Sequence, residues 1–116
     1  MKKEAKLIHR SHATYLPTAF PAHYYGMPNG KIYMIFSRFY SVDIGDSGIE
    51  FVFAEHKDLK YDYDTETILP VRRREIKRTF FSEDVDSPNS KFKILKTNRN
   101  FRSYAEAQSF IHERAM

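Results

Sequence analysis

The chain has 116 residues and no cysteine, so it is long enough to bury roughly two thirds of its unfolded surface in one core, and disulfides, thiol catalysis and cysteine-ligated metal centres are excluded. Its +4 charge is striped, with 6 basic against 1 acidic residue in 1–40, 2 against 8 in 41–70, 10 against 4 in 71–102 and 1 against 2 in 103–116. The basic start MKKEAKLIHRSHA lacks the apolar run of a signal peptide and no stretch approaches the ~20 residues of a membrane span, which predicts a single-domain cytoplasmic protein without a membrane partner.

Residues 5–16, AKLIHRSHATYL, alternate weakly and are read as an edge strand. His9, His12 and His23 are not read as a metal site, because histidines three apart point to opposite sides of a strand. From Pro17 to Gly30 the prolines and glycines predict turns throughout, with Pro28-Asn29-Gly30 delivering the chain into the next strand; residues 1–30 are otherwise weakly determined.

Lys31 to Asp43, KIYMIFSRFYSVD, is the central strand and the start of a β-meander core over 31–97. Alternation puts Ile32, Met34, Phe36, Tyr40 and Val42 on one side and Tyr33, Ile35 and Phe39 on the other, so both faces need cover. The polar pair Ser37-Arg38 predicts a bend or bulge in so long a strand. Gly45 to Gly48 reads as a hairpin loop, and Ile49 to Glu55 as the returning strand.

Tyr61 to Leu69 shows the cleanest alternation, with Asp62, Asp64 and Glu66 on an acidic side that must be solvated or paired. Arg72 to Phe81 reads as a further extended run, Ser82 to Ser90 as a polar loop, and Lys91 to Lys96 as a last short strand. Ser103-Tyr104-Ala105-Glu106 has capping-box spacing and opens a helix over 103–115 whose apolar stripe is Tyr104, Ala107, Phe110 and Ile111. Such a short helix must dock to persist. His112 in its last turn is read as offsetting the helix dipole. The expected fold is α+β, a twisted and mainly antiparallel sheet of about five or six strands packed by one C-terminal helix.

The sharpest chemical feature is the basic run Arg72, Arg73, Arg74, Lys77 and Arg78. In an extended strand, alternate guanidinium groups stand ~6.6 Å apart, close to the repeat of a nucleic-acid backbone, and Lys91, Lys93, Lys96, Arg99 and Arg102 could widen the patch. This spacing predicts a non-enzymatic binding protein for a polyanion, nucleic acid above all. The competing reading pairs these cations across strands with Asp62, Asp64 and Glu66, and makes that acidic face, with Tyr33 and Phe39, a surface for a protein partner or a second copy of the chain.

A third pattern is enzymatic. Asp43, followed after a turn and the strand IEFVFA by Glu55-His56-Lys57, resembles the D…E-x-K motif of PD-(D/E)xK nucleases. The resemblance implies that Asp43 and Glu55 hold Mg²⁺ while Lys57 orients the attacking water. It spans residues 43–57 alone and departs from the family at Val42, where proline is frequent, and at Asp58 to Asp64, which reads as turn and strand where that fold has a helix. No glycine-rich phosphate loop, zinc signature or Ser/His/Asp arrangement is present, so no cofactor and no metal are expected.

Overall fold

The computed structural model describes residues 4–11, 22–43, 45–69, 90–101 and 103–114. They form an antiparallel five-stranded sheet in the order β1 (Lys6–Ser11), β2 (Ala22–Gly26), β3 (Ile32–Asp43), β4 (Asp46–His56) and β7 (Phe92–Asn98). A separate two-stranded sheet comprises β5 (Lys60–Asp62) and β6 (Thr67–Leu69), and the helix α1 runs over Tyr104–Arg114. The α+β class and the C-terminal helix follow the sequence reading. No helix among the described residues is long and apolar enough to cross a membrane.

From Ile32 to Ser37 the central strand β3 is buried on both faces. Ile32, Met34 and Phe36 join Tyr24, Val52, Ala54 and Phe92 in one cluster, roofed by Leu59 just before β5 and by Tyr61 and Ile68 of the β5–β6 hairpin. Tyr33 and Ile35 join Tyr25, Phe51 and Phe53 in the other, closed by Ala107 and Ile111 of α1 with Phe110 and Phe101 at its margin. The two covers that the doubly apolar strand demanded are thus a small hairpin and a helix. The helix starts as its sequence predicts, with the Glu106 N–H donating to Ser103 Oγ at 3.4 Å.

Several sequence expectations are corrected. Ala22–Gly26 is a fully buried strand within the stretch read as turns, because its Tyr24 and Tyr25 each fill one of the two clusters. The pairing of β3 with β4 runs unbroken through Ser37 and Arg38, and its irregularity falls between Ser41 and Asp43. The polar pair is accommodated in place: Ser37 is fully buried, and Arg38 donates from Nε to Glu50 Oε1 at 3.0 Å, a carboxylate that also accepts from Arg99 Nε at 3.3 Å. The β3–β4 reversal is tighter than a loop over 45–48, since Ser47 and Gly48 already pair with Ser41 and Tyr40. Gly45 at φ 87° supplies a left-handed conformation within that reversal.

The largest departure concerns 61–69, which is a hairpin and not one strand. Asp62 Oδ1 accepts from the N–H groups of Asp64 (3.1 Å) and Thr65 (3.2 Å), a side-chain turn that reverses the backbone between β5 and β6. Glu66 follows at φ 56°. By contrast, Pro28-Asn29-Gly30 turns as expected: the Gly30 N–H donates to the Met27 carbonyl (2.9 Å) and the Lys31 N–H to Asn29 Oδ1 (3.0 Å). His112 lies in the last turn of α1, half-buried, with its ring edge-on to Tyr25 at 6.3 Å between centres.

Candidate functional site

A register shift in β7 builds the site. Opposite β4, Lys93 faces Glu55, Ile94 faces Ala54 and Lys96 faces Phe53, so Leu95 is the extra residue of a bulge. Ala54 and Ile94 belong to the hairpin side of the sheet, whereas Phe53 belongs to the helix side. Plain alternation would send Lys93 and Lys96 to opposite faces. The bulge brings both onto the helix face, separated only by the two-residue rise of β4, ~6.7 Å.

There α1 completes the group. Lys96 Nζ sits 5.1 Å from the centre of the Phe110 ring, and the Arg114 guanidinium lies 4.7 Å from the same ring and 5.2 Å from Phe53. Arg114 follows Phe110 by four residues, which places both on one side of the helix. Sharing one ring holds the two charges within about 10 Å of each other, close to the screening length at 0.1 M salt. Among the described residues, the ion pairs engage Lys6, Lys31, Arg38, Lys91 and Arg99, and none engages Lys93, Lys96 or Arg114. Glu55, across from Lys93, is held by Lys31 at 3.5 Å.

The other sequence-derived candidates fall elsewhere. Arg72, Arg73, Arg74, Lys77 and Arg78 lie outside the described residues, as does His12. Lys91 Nζ lies 3.9 Å from Asp58 Oδ2 near the end of β4. Asp62, Asp64 and Glu66 do not form a strand face, since Asp62 makes the turn and Glu66 pairs with Lys6 at 2.9 Å. That carboxylate holds the Lys6 ammonium above its usual range. Tyr33 is no surface residue either: it is buried beneath α1 with its ring 4.7 Å from Phe53. The side chain of Phe39 lies outside the described residues.

The nuclease-like motif does not assemble. Asp43 pairs with Asp46 at the closed end of the β3–β4 hairpin, while Glu55 pairs with Tyr33 at the open end, ten positions along the ladder and therefore ~33 Å away. His56, between Glu55 and Lys57, uses Nδ1 to accept from the N–H groups of Asp58 (3.1 Å) and Leu59 (3.0 Å), which turns the chain towards β5. Nor do the described residues contain a group of three His, Asp or Glu able to hold a metal ion.

Sequence reasoning included Lys93 but treated Lys96 only as an extension, and it missed Arg114 and Phe110 as site residues. The i, i+4 spacing of Phe110 and Arg114 was a usable signal. Comparison with known proteins finds no matching family model, no matching curated protein and no matching solved structure.

Proposed function

We propose that this is a small binding protein for nucleic acid, which it engages through the cationic rim of Lys93 and Lys96 on β7 and Arg114 on α1. The observation that carries the reading is that Lys96 and Arg114 crowd one aromatic ring with no carboxylate paired to either among the described residues. Like charges at this separation repel, and a phosphate seated between them turns that repulsion into attraction while releasing condensed counterions. The run Arg72 to Arg78 carries the same sign and lies outside the described residues.

Anisotropy of a labelled oligonucleotide, titrated with protein from roughly 50 mM salt upward, tests this. Binding should weaken linearly in log–log form as salt rises, and Lys96→Glu with Arg114→Glu should weaken it at least tenfold without loss of the native circular-dichroism spectrum. Absence of binding at the lowest salt, or full affinity in the folded double variant, would dismiss the reading.

A further inference from the structure

The aromatic residues beside the rim are already engaged. Phe110 has Lys96 and Arg114 over its ring, Phe53 against it edge-on at 5.1 Å and Phe101 tilted at 5.9 Å. Phe101 in turn meets Phe51 edge-on at 5.8 Å. A separate observation agrees: the large hydrophobic side chains exposed among the described residues are Leu7, Ile49, Leu69 and Leu95, all aliphatic. Among the described aromatic rings of phenylalanine and tyrosine, Tyr63, Phe101 and Phe110 are half-buried and the others are buried.

From this we infer that the ligand of the rim is double-stranded nucleic acid, recognised through its phosphates and not its bases. The inference rests on the nucleic-acid reading above and narrows it. Proteins that hold single strands stack successive bases on aromatic side chains, and among the described residues the ring at the rim, Phe110, is already covered by Lys96 and Arg114. What it offers is charge: Lys93 and Lys96 at the ~6.7 Å interval set by the bulge, with Arg114 alongside. A duplex gives the denser phosphate array and keeps its bases stacked inside, so it gains most from cations alone. Leu95, the surplus residue of the bulge, is 39% exposed and, being aliphatic, reads no base edge by hydrogen bonding.

The test compares one sequence as duplex and as single strand, at matched salt, with the intact chain. Duplex should bind at least as tightly as single strand, and changing its base composition should move the affinity by less than about threefold. The salt slope of duplex binding should be about −3, as three neutralised phosphates require, and Arg114→Gln should lower its magnitude by about 1. Tenfold preference for the single strand, or strong dependence on its bases, overturns this inference and leaves nucleic-acid binding standing. No binding of either form overturns both.

Discussion

The ring of Tyr61 occupies the space that a side chain on Gly26 would need: a Cβ built at Gly26 would overlap the carbons of that ring. The contact is how the β5–β6 hairpin covers the sheet, and the Tyr61 N–H fixes it by donating to the Gly30 carbonyl at 2.8 Å. Gly26→Ala should therefore cost about 1–3 kcal/mol through overpacking, seen as a lower urea midpoint. Adding Tyr61→Leu should give back part of that loss. Strictly additive losses in the double variant would show that the two positions do not compete for space.

How much of this was readable beforehand depends on the reach of each signal. The two-sided burial of β3 was legible because Ile32 to Phe36 are apolar at every position, a pattern that admits no exposed face. The start of α1 was legible because Ser103 and Glu106 act within one turn of each other. The hairpin at 61–69 was not, since period-two alternation is blind to a reversal made by one aspartate oxygen, and Asp62 sits in phase with the pattern it interrupts. Strand β2 was hidden by the turn residues around it. Lys96 was hidden by Leu95, because a bulge changes the face of every later residue without changing its hydropathy.

His112 supplies a second prediction. Its Nδ1 is enclosed and makes no hydrogen bond among the described residues. A buried polar atom without a partner loses its water for nothing in return, so His112→Leu should raise stability by about 1 kcal/mol. The urea midpoint should rise with the slope unchanged. A lower midpoint would mean that the imidazole contributes more by packing against Tyr25 than its bare nitrogen costs.

Alkaline pH should loosen the same region. Burial beneath α1 pushes the Tyr25 hydroxyl up to about 12, and burial likewise raises Tyr61. A tyrosine that keeps its proton longer in the folded chain than in the unfolded one contributes stability that is complete below about pH 10 and declines as pH rises towards 12. Lys6, raised by Glu66, acts in the same direction. Urea midpoints should fall between pH 9 and 12, and Tyr25→Phe should flatten that fall whatever it does at neutral pH. An unchanged slope in Tyr25→Phe would place the alkaline sensitivity elsewhere.

The bulge in β7 allows the rim to be tested without touching any charge. Ile94 and Lys96 already oppose consecutive residues of β4, Ala54 and Phe53, so Leu95 is surplus to the ladder. Deleting Leu95 should let the two halves of β7 join in register, with Lys93 and Lys96 still on the helix face and Lys96 still over Phe110. Because Leu95 is 39% exposed, its loss forfeits more than half of one leucine's burial, and stability should fall by about 1–2 kcal/mol. Inserting one alanine between Lys93 and Ile94 is the opposite experiment: with the residues after it held in register, it turns Lys93 onto the other face. Nucleic-acid affinity should survive the deletion and fall in the insertion, though both chains keep every cation. Equal affinities for the two would mean that the charges act as a diffuse cloud and that the face they share is irrelevant.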